Sequence, residues 1–116
     1  MAKKKITEPG KMTHRGDEDP RAVIFKALAS PKRIYILELL RERELCGGDF
    51  IDLLKVKQSA VSRHLSILHR AGLIRKRKSQ SNIYYTLSSD RVPALLEIAS
   101  ELVRQHTDRV RRILES

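Results

Sequence analysis

The spacing of apolar residues changes abruptly at Gly72, and this change restricts the fold more than any other feature of the sequence. Before Gly72, the residues Val61, Leu65 and Leu68 recur at the spacing of one helix face. After it, residues 73–87 alternate as two short strands on either side of a polar tip. A helix followed directly by a hairpin predicts a mixed domain rather than a purely helical bundle.

Start and stop signals predict the other elements. Asp19-Pro20 and Ser30-Pro31 each place a capping residue before a proline, an arrangement that favours the opening of a helix. Gly47-Gly48 is predicted to interrupt the regular secondary structure, and Asp49 to cap a third helix after it. Gly72 is predicted to end the fourth helix. The predicted elements are helices from Asp19, from Ser30, from Asp49, from Gln58 to about Ala71 and from about Asp90, with strands at Leu73–Lys78 and Ile83–Leu87.

This order, α-α-α-α-β-β-α, is a mainly α fold with a β-hairpin wing, and thus of the α+β class. Two short helices joined by a tight turn set the second one where its first half can enter a major groove, so the pattern predicts a winged helix-turn-helix. A length of 116 residues suits one domain, which we place at residues 19–116. Residues 1–18 are polar and show no apolar periodicity, which predicts a flexible basic and polar N-terminal arm.

The positive charge of the chain is concentrated in one stretch. The net charge is +10, and no Asp or Glu occurs between Leu53 and Ser89. The cations of this stretch are Lys55, Lys57, Arg63, Arg70, Arg75, Lys76, Arg77 and Lys78. The rest of the chain nearly balances, with 16 basic residues against 14 acidic ones. A solvated basic face is one interpretation, but we favour a surface that contacts nucleic acid, because cations that neutralise phosphates release condensed counterions.

The side chains opposite the apolar face of the fourth helix are small or forked donors. Arginine suits guanine, glutamine suits adenine, and serine reaches a phosphate or a base. The hairpin is expected to lie along the flanking DNA backbone, so that its contacts position the protein while helix contacts specify sequence. The predicted DNA-binding residues are Lys57, Gln58, Ser59, Ser62, Arg63, His64, Ser66, Arg75, Arg77, Lys78, Gln80 and Asn82. For His64, packing at the edge of the helix is the alternative.

Three runs of the sequence resemble the ArsR/SmtB family of winged-helix repressors. The run LASPKR with ILELL, within residues 28–40, is similar to the family's opening helices. The run QSAVSRHL with LHRAGLI, within residues 58–74, resembles its recognition helix and the start of its first wing strand, and IYYTL at 83–87 resembles the second. The resemblance covers roughly residues 20 to 106.

The resemblance implies a homodimeric, cytoplasmic repressor that binds an operator, an imperfect palindrome of double-stranded DNA, and is released by an inducer. Dimers of this family pair through the first and last helices, which agrees with a long apolar stripe in the last helix here. One small monomer does not cover such a stripe. The predicted dimer interface is Val23, Leu95, Ala99, Leu102, Val103, His106 and Val110.

The inducer site is where this chain departs from the family. Relatives that sense soft metals carry a Cys-x-Cys ahead of the recognition helix, and the two positions here are Cys46 and Gly48. A soft ion requires two or three thiolates. For the zinc site on the last helix, only Asp90 and His106 match, as weak candidates, so no metal is expected. Cys46 is interpreted either as an inert, partly buried residue or as a single-thiol sensor of oxidants or electrophiles.

Other classes of protein are less consistent with the sequence. No Gly-rich phosphate loop, paired-carboxylate cleft or nucleophile with its base is visible, so neither an enzyme nor a cofactor is expected. No apolar run approaches the roughly 18 residues that span a bilayer, and the start of the chain lacks a signal peptide, which predicts a cytoplasmic protein. The alternatives are a winged-helix protein-interaction adaptor and a constitutive DNA-binding regulator without an inducer site.

Overall fold

A computed structural model describes residues 19–116, and the predicted arm at residues 1–18 lies outside this range. The elements are α1 (Arg21–Leu28), α2 (Pro31–Glu42), β1 (Leu45–Cys46), α3 (Gly47–Leu54), α4 (Gln58–Arg70), β2 (Ile74–Ser79), β3 (Asn82–Leu87) and α5 (Arg91–Glu115). The predicted winged helix-turn-helix is confirmed: α3 and α4 form the helix pair, and β2 and β3 form the wing. The short strand β1 was not predicted.

Two of the predicted helix signals work as the sequence indicates. The Ser30 hydroxyl accepts a hydrogen bond from the Arg33 N–H at 3.4 Å, and Pro31 occupies the first turn of α2. The second signal is Gly72, which follows α4 and has φ +79°. The Leu73 N–H donates to the Leu68 carbonyl and the Gly72 N–H to that of His69, which is the Schellman arrangement that ends a helix at a left-handed residue.

The prediction that Gly47-Gly48 interrupts the regular secondary structure is wrong, because these residues lie in the first turn of α3. Asp49 is not the N-cap either: Cys46 holds that position, and Asp49 is the third helical residue. The Asp49 carboxylate accepts from the Cys46 N–H at 3.0 Å, and the Cys46 side chain meets the Asp49 N–H in return. This capping box satisfies backbone donors at the helix start and compensates for the low helix propensity of glycine.

The wing belongs to a three-stranded antiparallel sheet in the order β1-β3-β2. In the hairpin, Ile74 lies opposite Leu87, Lys76 opposite Tyr85 and Lys78 opposite Ile83. These pairs share one face of the sheet, because side chains two residues apart on a strand point to the same side. β1 pairs with the far edge of β3 and joins the wing to the helix pair. Two residues are too few to show a period, so the sequence pattern carries no signal for β1.

The hydrophobic core fixes the orientation of α4. Val61, Leu65 and Leu68 are all buried, as the helical spacing predicts. They pack with buried residues of α2, α3 and β1, and the ring of Phe50 in α3 meets the ring of Tyr85 edge-on, with the centroids 6.2 Å apart. Because one side of α4 is fixed in this core, its opposite side remains at the surface.

The last helix extends well beyond the core. Val92 and Leu96 in its first two turns are buried, whereas residues 97–116 are all exposed. Large apolar side chains continue along the exposed part, including Leu102 at 61% exposure and Val103 at 65%. No helix within residues 19–116 is both long enough and apolar enough to cross a membrane.

Candidate nucleic-acid interface

The exposed side of α4 carries the polar side chains that the sequence predicts. Gln58, Ser59, Ser62 and Arg63 are exposed, and Ser66 is half-buried. The preceding residue, Lys57, is the N-cap of α4 and is exposed too. None of the exposed residues of α4 is acidic. The first two turns of this helix thus present donors and positive charge toward solvent, as insertion into a major groove requires.

The predicted residues of the wing are also at the surface. The exposed members are Arg75, Arg77, Lys78, Gln80 and Asn82. Gln80 lies in the two-residue turn between the strands and has φ +55°. Because β2 alternates, its arginines and lysines lie on opposite faces of the sheet. Lys76 and Lys78 share the face of Tyr85, which packs against the core on the α4 side.

A cavity of about 170 Å³ separates α4 from the wing. Its lining residues are Ser62, Leu65, Ser66, His69, Lys76 and Tyr85. Two serines, a histidine and a lysine therefore line the space beside the exposed face of the recognition helix. The prediction omitted Lys76 and assigned no role to His69. The strand period contains the signal for Lys76, since it places this residue on the same face as Tyr85.

Arg77 is already engaged within the molecule. Its guanidinium Nε donates to the Glu44 carboxylate at 2.8 Å, and the group lies 4.8 Å from the ring centre of Tyr84. The hydrogen-bonded Arg77 holds the pKa of Glu44 below its usual value, and Glu44 raises the pKa of Arg77. The stretch from Leu53 to Ser89 contains no acidic residue of its own, but in the fold the carboxylate of Glu44 contacts its Arg77. A phosphate must compete with this carboxylate for Arg77.

His64, predicted to lie beside DNA, is on the buried side of α4. The residue is only 8% exposed, and its Nδ1 lies 3.2 Å from Nη1 of Arg33. Arginine has no acceptor, so Nδ1 accepts and the neutral ring carries its proton on Nε2. Burial lowers the pKa of His64, and the charges of Arg33, Arg63 and Lys32 lower it further. The alternative interpretation is the better one: His64 packs against the helix that precedes the helix pair.

Within a single chain, the candidate inducer residues lie far from one another. Cys46 is half-buried in β1 and caps α3. Asp90 is the N-cap of α5 and His106 lies 16 residues along that helix, so about 24 Å separates them at a rise of 1.5 Å per residue. Within residues 19–116, no three His, Cys, Asp or Glu side chains come together where an ion would fit.

The predicted dimer residues lie on two exposed faces. Val23 on α1 is 50% exposed. On α5, Leu95 is half-buried, and the exposed members are Ala99, Leu102, Val103, His106 and Val110. The neighbouring Ile98, at 52% exposure, and Ile113, at 67%, extend the same apolar surface beyond the predicted set.

Comparison with known proteins identifies what this architecture is similar to. The profile of the family "Bacterial regulatory protein, arsR family" matches residues 30–76, which run from the N-cap of α2 into the wing. The chain is 41% identical over 83 residues to the transcriptional activator HlyU of Vibrio cholerae, a match covering 72% of this chain and 77% of HlyU. It is 39% identical over 82 residues to the transcriptional repressor SmtB homolog of Synechocystis, a match covering 70% of this chain and 62% of the homolog.

A solved structure extends the comparison to three dimensions. The homodimeric winged helix-turn-helix DNA-binding domain of Mb0332 from Mycobacterium bovis superposes with a TM-score of 0.70 at 25% sequence identity. The superposition covers 82% of this chain and 93% of that domain. The arrangement of helices and wing is therefore shared well beyond the residues that the family profile matches.

Proposed function

Because the chain belongs to the ArsR family and is a DNA-binding transcriptional regulator, we propose that it acts as a homodimeric repressor that an inducer releases from its operator. Transcription regulators of this family are non-enzymatic, which confirms the prediction that the chain is not an enzyme. The observation that carries the proposal is the joint surface of α4 and the wing. This surface is polar and cationic, and both of its elements pack on the same hydrophobic core.

The recognition helix is the proposed reader of base sequence. Gln58 and Arg63 carry the forked side chains that pair with adenine and guanine, and both stand on the exposed face of α4. Ser59, Ser62 and Ser66 are proposed to contact bases or phosphates next to them. His64 is not proposed as a contact, since it faces Arg33.

The wing and the cavity beside it are the proposed phosphate contacts. Lys57, Arg75, Lys76 and Lys78 form no salt bridge within the described part of the chain, so their charges are available to the DNA backbone. Gln80 and Asn82 at the wing tip are proposed to reach the backbone or minor groove next to it. Contacts of this kind fix the position of the protein but carry little sequence information.

Two copies are proposed to bind together. The apolar face of α5 stays exposed in a single chain, with Ile98, Leu102 and Val103 each more than half exposed. Exposed apolar surface of this extent is typical of an interface. The related domain of Mb0332 is described as homodimeric. A symmetric pair would present its two recognition helices to half-sites about one helical turn, or ~34 Å, apart.

Repression rather than activation is the proposed outcome. The relatives differ here, as HlyU is called an activator and the Synechocystis homolog a repressor. Within residues 19–116, α2 and α3 also keep exposed apolar side chains, among them Tyr35 and Leu53. We propose repression because it requires only that the dimer occupy its site, whereas activation requires a further contact with polymerase. The cytoplasm is the proposed compartment.

Cys46 is the proposed sensor if the inducer acts on a thiol. Its backbone N–H and side chain form the capping box of α3, and α3 packs against the recognition helix. Oxidation or alkylation of the sulfur would disturb this cap and thus the support of α4. Exposure of wild type and Cys46→Ser to peroxide, a thiol electrophile, arsenite and zinc tests this role. Identical release from DNA under all four conditions removes Cys46 from the mechanism.

The proposed function is tested on duplexes that the protein selects from a random library. Fluorescence anisotropy between 50 and 300 mM salt should give a steep loss of affinity. The proposed phosphate contacts without a salt bridge in residues 19–116 are Lys57, Arg75, Lys76 and Lys78. With two copies of each, the logarithm of the affinity should fall with the logarithm of the salt concentration at a slope of about −7. Footprinting should show two protected half-sites one helical turn apart. A slope shallower than about −2 or the absence of any selected sequence would instead favour a protein-interaction adaptor.

A further inference from the structure

A second cavity, of about 310 Å³, lies between α1, the start of α2 and the second half of α4. Its lining is divided between apolar and cationic side chains: Val23, Lys26, Ala27, Arg33, Ile67 and Arg70. No acidic residue belongs to this lining, and most of the exposed surface inside it is apolar. The volume lies at the lower end of the range of small-molecule sites, which begins near 300 Å³. We call this cavity the α1–α4 groove.

Arg33 is the central polar group of the groove. Its Nε donates to the Ala27 carbonyl at 2.7 Å, and its Nη2 donates to that of Lys26 at 3.2 Å. Its Nη1 donates to His64 on the recognition helix at 3.2 Å. A guanidinium has five N–H donors, so two remain after these three bonds. One side chain thus links three helices and still has donors for a ligand.

The positive charge in the groove is not neutralised by the protein. None of the salt bridges among residues 19–116 involves Arg33, Lys26 or Arg70. An apolar wall beside uncompensated cations is complementary to an anion that has an apolar body. Inorganic phosphate or sulfate would leave the apolar wall uncovered, and a neutral molecule would leave the cations without a partner.

We propose that the α1–α4 groove binds a small organic carboxylate with an apolar body, and that this ligand lowers the affinity of the protein for DNA. The body of the ligand packs against Val23 and Ile67. Its carboxylate accepts hydrogen bonds from Arg33 and pairs with Arg70. This assigns the groove as an inducer site separate from Cys46 and from the DNA-contacting surface.

The effect on DNA follows from two contacts of the groove with α4. Arg33 holds the ring of His64, so a carboxylate that engages Arg33 changes how α4 is held. Arg70 is a residue of α4, and pairing it with an anion removes one positive charge from the recognition helix. Both changes weaken an association that depends on the position and charge of this helix. This regulatory half of the proposal rests on the proposed DNA-binding function, whereas the binding half does not.

Calorimetry on the full chain tests the binding half without DNA. The probes are 3-phenylpropionate, its neutral alcohol 3-phenylpropan-1-ol, and acetate. We expect the acid to bind at least tenfold more tightly than the alcohol, since hydrogen bonds to a charged group are the stronger ones. Acetate, which lacks an apolar body, should give no detectable heat. Arg70→Gln should weaken binding of the acid at least fivefold and leave the alcohol unchanged.

A matched control separates the groove from net charge. Arg91→Gln removes the same charge from the exposed first residue of α5 and should leave binding of both probes unchanged. Equal affinity for the acid and the alcohol, or an equal effect of the two substitutions, overturns the proposed ligand class. No heat with either probe overturns the site, including the case in which a second copy covers Val23.

Anisotropy on a library-selected duplex tests the regulatory half. Saturating 3-phenylpropionate should weaken DNA binding of the wild type at least threefold, and Arg70→Gln should remove this effect. Unchanged DNA affinity in the presence of bound acid overturns the regulatory half. DNA binding is first measured without acid, so a failure of the proposed DNA-binding function is seen separately.

Discussion

Lys76 and Arg77 are neighbours in the sequence, yet the structure predicts opposite consequences for their removal. Lys76 lines the cavity beside α4 and forms no salt bridge within residues 19–116. Arg77 is paired with Glu44 on the other face of the wing. Substitution of each by glutamine removes one positive charge per chain, so net charge changes equally. Only Lys76→Gln removes a cation that is available to a phosphate.

The size of the Lys76 effect follows from counterion release. Each phosphate contact changes the log–log salt slope by about 0.9, so at 0.15 M salt one contact contributes about 0.7 log units to affinity. Two copies in a dimer then give a loss of about 30-fold for Lys76→Gln, with the slope shallower by about 1.8. The loss should be the same for every DNA sequence, because a phosphate contact carries no base information. Arg77→Gln should weaken binding less than threefold.

The assay is fluorescence anisotropy of both variants and the wild type at four salt concentrations, on a selected duplex and on a scrambled one. Circular dichroism verifies that the variants fold. An Arg77→Gln effect equal to or larger than that of Lys76→Gln would refute the placement of the phosphate contacts. A Lys76→Gln loss confined to the selected duplex would refute the assignment of Lys76 to the DNA backbone.

Two further predictions concern stability and assembly. The lowered pKa of His64 means that the unfolded chain binds a proton more readily than the folded one, so stability should be full above about pH 6.5 and fall as the pH drops below it. Urea unfolding from pH 8 to 5 should show this fall in the wild type and a weaker one in His64→Gln; identical profiles for the two proteins would contradict it. Leu102→Glu should convert the dimer to a monomer in light scattering and lower DNA affinity at least tenfold, because it places a charge in the apolar face of α5; a stable Leu102→Glu dimer would show that α5 is not the interface.

The parts of this fold that could be predicted are those with a local cause. The start of α2 follows from Ser30-Pro31 and the end of α4 from Gly72, because caps act within one helical turn. The buried face of α4 follows from its own period. The strand β1 is too short to show a period. The glycines of α3 suggested an interruption of the secondary structure, because the capping box that stabilises this helix start uses Cys46, an unusual N-cap residue.

The contacts that alter the candidate site join residues that are distant in the sequence. Glu44 and Arg77 are 33 residues apart, and Arg33 and His64 are 31 apart. No periodicity connects such pairs, and each reverses a local inference: Glu44 neutralises a cation of the acid-free stretch, and Arg33 draws His64 toward the core. The α1–α4 groove was missed for the same reason, since its residues come from three helices.

In the proposed complex α4 reads the base sequence while the wing holds the backbone, and substitution of Arg63 separates these two roles. Arg63→Ala should cost about 1–3 kcal/mol on a selected duplex and relax the preference at one base pair in each half-site. Lys78→Ala should weaken binding to all sequences alike. Selection from a random library with each variant measures both the affinity and the preferred bases. An Arg63→Ala protein with unchanged affinity and unchanged base preference would contradict this division of roles.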